Sequence, residues 1–142
     1  MRKILLALLL ITTSTDASAC SCPSLSLEEQ VNEADVVYLA TVVEAKFKKS
    51  DDKEGWPYIE GKFQVSRVLK GQITDQFTIL RTGTGGGDCG MPMRVPEKFI
   101  IFNRNGENGI SICGGGWPIH FTQEEEIAKK VLQIVEQTAG QK

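Results

Sequence analysis

Histidine is almost missing from this chain: His120 is the only one among its 142 residues. A hydrolase built on a histidine base needs a serine or cysteine partner for it, and none is evident. His120 is therefore read as a surface or packing residue. Long apolar runs are missing too. The run Ile4–Ile11 is far shorter than the about 20 residues a helix needs to cross a bilayer, and no other segment comes close. No transmembrane segment is expected. Nor is there an excess of basic charge, since 16 Lys and Arg face 18 Asp and Glu for a formal net charge of −2. Neither nucleic acid nor an anionic membrane surface is an expected partner. The adjacent acids Asp51-Asp52 and Glu124-Glu125-Glu126 read as solvated charge and as residues that complement a helix dipole. No enzyme constellation is present, and the protein is not expected to be an enzyme.

What the chain does have begins at its N-terminus. Arg2 and Lys3 precede the apolar run, a polar stretch Thr12–Asp16 follows, and Ala17-Ser18-Ala19 then puts small residues at the −3 and −1 positions. This is the pattern of a secretory signal over residues 1–19, with a single domain over 20–142. Removing Arg2, Lys3 and Asp16 with the signal moves the formal charge from −2 to −3. A secreted or periplasmic location is expected. Cysteine directly after a small residue also suits lipoprotein acylation, but position −3 is Ala17 rather than a large aliphatic residue, so ordinary cleavage is the expectation over anchoring at Cys20.

All four cysteines, Cys20, Cys22, Cys89 and Cys113, lie beyond that cleavage point. An even count in an exported chain reads as a disulfide framework. Cys20 and Cys22 are too close to favour pairing with each other. That leaves Cys20–Cys89 with Cys22–Cys113, or the crossed alternative. Loops of such length contribute roughly 3–5 kcal/mol each in the chain-entropy model.

Along the chain, Ser26-Leu27-Glu28-Glu29 is a capping-box pattern that opens a short helix to about Ala34. Val36–Val43 is a β-branched run that reads as a strand buried on both faces over part of its length. Residues 48–57 read as an exposed hairpin loop. A second strand spans about Tyr58–Leu69, with a phase shift at Arg67-Val68 that predicts a bulge or strong bend. Phe77–Leu80 and Lys98–Phe102 are predicted strands. An Asn/Gly loop over 103–109 leads into a short fifth strand, Ile110–Ile112, ending at Cys113. Thr122–Glu125 is a second capping-box pattern, and Ile127, Val131, Ile134 and Val135 follow at helical spacing. About five strands with a helix at each end predict a small closed barrel. There is no internal repeat and no second domain.

Two motifs invite chemistry. Gly85-x-Gly87-x-x-Gly90 matches a phosphate-binding spacing, but Met91-Pro92-Met93 follows instead of a helix start, and no Lys-Ser/Thr pair is present. The stretch Thr82–Gly90 reads instead as a flexible loop holding a disulfide cysteine. Cys20-Ser21-Cys22 is the more informative motif. A redox or copper role needs free thiols, against which Cys89 and Cys113 offer partners. If Cys20 is the first residue after cleavage, its α-amine and carbonyl can chelate a metal in a five-membered ring. That amine has an unperturbed pKa of about 7.7–8.0, so it can lose its proton to zinc near neutral pH.

In order and spacing these pieces resemble the N-terminal domain of the tissue inhibitors of metalloproteinases, among the netrin-like modules, in a bacterial-type single-domain form. The likeness begins with Cys20-Ser21-Cys22 and Ala34-Asp35-Val36-Val37. It runs on through the strand from Phe63 to Lys70-Gly71, Cys89-Gly90 before Phe99–Phe102, and Gly109–Cys113 with Trp117 after it. The resemblance implies a mainly β fold, a five-stranded OB-like Greek-key barrel with a short N-terminal helix and a C-terminal amphipathic helix. It implies the pairs Cys20–Cys89 and Cys22–Cys113. It also implies a metalloendopeptidase inhibitor with no cofactor of its own, in which the Cys20 amine and carbonyl ligate the target's zinc. Ser21 then faces the mouth of the specificity pocket, Cys22 and Pro23 lie along the cleft, and Gly87-Asp88-Cys89 supplies the neighbouring ridge. The animal inhibitors carry a third disulfide in this domain and a further C-terminal domain, and this chain has neither. The expected partner is thus a zinc metalloproteinase. The alternatives are another extracellular protein, bound by an extracellular or envelope module that inhibits no protease, and a periplasmic metal or redox protein using the Cys-x-Cys.

Overall fold

A computed structural model describes residues 20–50, 55–85, 87–104 and 106–140. The proposed signal, residues 1–19, and Asp51-Asp52 lie outside the described residues. The elements in chain order are α1 (Leu27–Glu33), β1 (Val36–Lys48), β2 (Tyr58–Lys70), β3 (Phe77–Gly83), β4 (Lys98–Asn103), β5 (Gly116–Ile119) and α2 (Glu124–Ala139). The fold is mainly β. Its strands form one five-stranded sheet in the order β3-β2-β1-β4-β5, with every neighbouring pair antiparallel.

Curling of the sheet brings its two ends together. Arg81 on β3 donates its N–H to the Asn108 carbonyl at 2.6 Å and accepts from Ile110 N at 2.8 Å. This parallel bridge at Gly109 joins β3 to the segment that leads into β5. A tight turn follows, in which Ser111 and Gly114 exchange backbone hydrogen bonds of 2.9 and 3.2 Å. The result is barrel-like, and the bridge covers part of the β3 edge that a flat sheet would leave open.

The alternation of β1 and β4 explains why both read as continuous apolar runs. Val37 and Leu39 point to one cluster with Ile100 and Phe102, beneath α1 and α2. Tyr38, Ala40 and Val42 point to the other with Phe99 and Ile101, in the barrel interior. Successive strand side chains face opposite ways, so a strand covered on both sides is apolar at every position. In the interior, Phe63 and Phe99 meet edge to face at 5.5 Å between ring centres. On the outer side α2 buries Ala128 and Val131 completely, with Ile127, Leu132, Ile134 and Val135 packed around them. Ion pairs from Glu124 to Lys98 and from Glu125 to Arg67 tie its first turn to the barrel.

The bulging expected near Arg67-Val68 falls on either side of that pair: the β1–β2 register skips Leu69 and Ser66 on β2, and Val43 on β1. These irregularities let long strands bend around the barrel.

Both ends of α1 are satisfied. The Ser26 hydroxyl accepts from Glu29 N at 3.2 Å and the Glu29 carboxylate accepts from Ser26 N at 2.7 Å, completing the capping box. At the other end the Lys70 ammonium donates to the carbonyls of Val31, Asn32 and Ala34 at 2.7, 3.2 and 2.5 Å. A cation at a helix C-terminus also opposes the helix dipole. Lys70→Met keeps the aliphatic stem and deletes the donors. It is expected to destabilise the fold by about 1–3 kcal/mol in a urea titration, and a change within error would show the cap to be energetically idle.

Two local expectations are corrected. Ile110–Ile112 is not the fifth strand; it forms only the bridge and turn described above, with Ile110 buried and Ile112 half exposed. The fifth strand is Gly116–Ile119, where Pro118 conceals the strand from a sequence reading because proline cannot donate to a ladder. The second capping box is also displaced. His120, not Thr122, is the capping side chain, accepting from Thr122 N at 3.4 Å while Gln123 reaches back to His120 N at 3.2 Å. A 3-10 turn, Phe121–Gln123, intervenes before α2. Its exposed ring caps a turn, a third role beside the surface and packing ones expected of it.

Candidate functional site

Of the two pairings open to the sequence, the structure has Cys20–Cys89 and Cys22–Cys113, with Cα–Cα separations of 5.8 and 5.0 Å. Cys89 sits in the loop after β3 and Cys113 in the turn before β5. These loops are neighbours, since Ile112 N donates to the Cys89 carbonyl at 3.1 Å. The two disulfides therefore lay Cys20-Ser21-Cys22-Pro23 across one end of the barrel. Ser21, Cys22 and Pro23 are exposed and Cys20 is partly buried. Among the described residues no hydrogen bond engages Cys20–Ser24. The sulfur bridges hold this segment, and the first hydrogen bond is that of the Leu25 carbonyl with the Gln30 side chain, at 3.1 Å.

The neighbouring loop is organised by one carboxylate. Asp88 accepts from the backbone N–H of Thr84 at 2.6 Å, of Gly85 at 2.8 Å and of Gly90 at 3.0 Å, and from the Thr84 hydroxyl at 3.2 Å. Met91 N is held at 2.7 Å by the buried Thr82 hydroxyl. Desolvation would raise the Asp88 pKa, but the hydrogen bonds from Gly90, Gly85 and Thr84 outweigh it and hold the carboxyl below its ordinary value. Glycine is required where the chain doubles back. A Cβ on Gly90 would collide with the Gly83 backbone, and one on Gly83 with the Asp88 carboxylate. Cys89 itself has a φ of 56°, in the left-handed region that non-glycine residues seldom occupy.

All seven residues expected at the site thus lie on this end of the barrel or in its loop: Cys20, Ser21, Cys22 and Pro23 in the segment, Gly87, Asp88 and Cys89 beside it. The Asp88 carboxylate is engaged within its own loop. The loop, read from its glycines as flexible, is spanned by the hydrogen bonds of this carboxylate to Thr84, Gly85 and Gly90. Thr84 and Gly90 were not singled out for this; the signal was an aspartate closing a Thr-Gly-rich stretch, since such side chains readily bond nearby backbone.

An apolar groove of about 400 Å³ opens beside the same loop, with Gly83, Thr84, Gly85 and Gly90 on one side and Phe47, Ile59, Met91 and Met93 among its other walls. Phe47 and, on the same hairpin, Trp56 are 59% and 83% exposed. Among the described residues no group of three or more His, Cys, Asp or Glu side chains is arranged to hold a metal, and no helix is long and apolar enough to cross a membrane.

No protein-family model matches this chain, and none of the curated proteins matches it. The geometry of the site is what bears on function.

Proposed function

We propose that the protein is a secreted inhibitor of zinc metalloendopeptidases that presents Cys20 as its first residue. The observation that carries this reading is the Cys20–Pro23 segment, exposed from Ser21 onward and tied at both cysteines to loops of the barrel. An α-amine and carbonyl on such a segment are already oriented, so little conformational entropy is lost when they ligate the target's zinc. Deprotonating the amine supplies a neutral nitrogen donor, and the carbonyl supplies an oxygen. Ser21 follows at the specificity pocket, with Cys22 and Pro23 in the cleft.

The test starts with the secreted, non-reduced protein. Intact mass and N-terminal sequencing should show a chain that begins at unmodified Cys20 and lacks four hydrogens. Inhibition of a panel of zinc metalloendopeptidases should then disappear after carbamylation of the α-amine. No inhibition across the panel, or inhibition indifferent to carbamylation, rejects the reading. Ser21→Arg, which fills the pocket mouth with a long charged side chain, should weaken inhibition at least about tenfold (about 1.4 kcal/mol); equal potency would remove Ser21 from the contact. A lipid on Cys20 would block the amine and leave Cys89 without its partner. That outcome would favour an envelope protein-binding module, a reading the exposed Trp56 and Phe47 support independently of Cys20.

A further inference from the structure

We infer that Asp88 is a positioning residue, which sets the pose of Cys20 from inside the loop rather than by touching a partner. Its functional meaning rests on the inhibitor reading above, while its structural content does not. Cys89 stands between Asp88 and Gly90, and the Asp88 carboxylate holds the Gly90 N–H at 3.0 Å. The hydrogen bond thus closes around Cys89 and fixes the left-handed backbone from which its sulfur leaves. The same carboxylate anchors Thr84 and Gly85 at the opposite side of the loop. From Cys89 the constraint passes through the disulfide to Cys20, which no hydrogen bond among the described residues holds. Gly83 closes the remaining side, because a side chain there would strike the carboxylate. One ionised group thereby orders two segments far apart in sequence.

The groups facing the carboxylate are the Thr84 amide and hydroxyl, the amides of Gly85 and Gly90, and the Gly83 backbone. None of them is charged, so the switch between ordered and loose loop follows Asp88's own titration. Its folded pKa lies below its ordinary value. The ordering is therefore present above the unfolded pKa of about 3.9 and is lost as pH falls through the lower folded value.

The experiment is amide hydrogen exchange and backbone relaxation by NMR on the oxidised protein, for wild type, Asp88→Ala and Asp88→Asn. In Asp88→Ala, exchange at Gly85 and Gly90 should accelerate at least about tenfold, and Ser21 and Cys22 should lose order. Amides of β1 and β4 should stay protected, which shows that the barrel is folded. Asp88→Asn keeps one acceptor oxygen and should recover part of the order. Wild type should loosen at the same amides on acidification below pH 4, and Asp88→Asn should not. The acid series on wild type needs no variant to fold. Unchanged exchange at Gly85 and Gly90, or unchanged order at Ser21 and Cys22 in Asp88→Ala, overturns the proposal. Inhibition assays on the same samples separate the two readings. Loosening without any wild-type inhibition rejects the inhibitor reading and keeps the positioning role. Wild-type potency retained in a loosened Asp88→Ala removes Asp88's part in function.

Discussion

An extra alanine ahead of Cys20 should abolish metalloendopeptidase inhibition, by at least about a thousandfold, while the melting temperature stays where it was. That loss corresponds to about 4 kcal/mol. The proposed contact needs an amine and a carbonyl on the same residue, and converting the amine to a peptide nitrogen removes its lone pair from coordination. The added residue must also find room at the zinc, which pushes Ser21 away from its pocket. Stability should be indifferent, because the backbone of Cys20–Ser24 makes no hydrogen bond among the described residues that an extension would disturb. Inhibition constants and calorimetry on the two proteins decide the matter. An extended protein that inhibits as well as the native one would eliminate chelation, whatever becomes of the fold.

Replacing Cys22 and Cys113 together by serine should cost about 4–5 kcal/mol of stability. The residues are 91 apart in sequence, and the cross-link removes correspondingly many unfolded conformations. For a domain of this size the melting temperature should fall by roughly 15–25 °C. The second consequence concerns the site. With one of two anchors gone, the segment beyond Cys20 can swing away from the barrel end, so inhibition should fall as well. Thermal denaturation of the double variant gives the first number, and inhibition at a temperature where it remains folded gives the second. A melting temperature lowered by less than about 5 °C would mean that the denatured chain is already compact there or that the bridge is strained. Potency retained in the folded variant would mean that the Cys20–Cys89 bridge alone sets the segment.

Much of the fold was legible because single residue types carry strong local preferences. Ser26 and Glu29 satisfy each other across one helical turn, so the start of α1 could be read from four consecutive residues. The apolar stretch of β1 announced burial on both faces over part of its length, as found there and also on β4. The failures were at places where a distant partner decides. Ile110-Ser111-Ile112 alternates like a strand, yet a hydrogen bond from Ile110 to Arg81 on another strand and a turn back to Gly114 use up its backbone. Gly116–Ile119 was not read as a strand, yet its Pro118 sits opposite Phe99 in the last pair of strands.

The candidate site divides in the same way. From the residues alone came the position of the cysteines, the small residues before Cys20 and the want of an evident serine or cysteine partner for His120. These depend on composition and local order, which a sequence contains in full. The choice between two disulfide pairings had to await the barrel, because it depends on which loops lie side by side at one end. The direction of the Asp88 carboxylate was likewise hidden. Its partners at Thr84, Gly85 and Gly90 meet only when the loop doubles back on Gly83, and that close approach of backbone to backbone is a property of the folded chain.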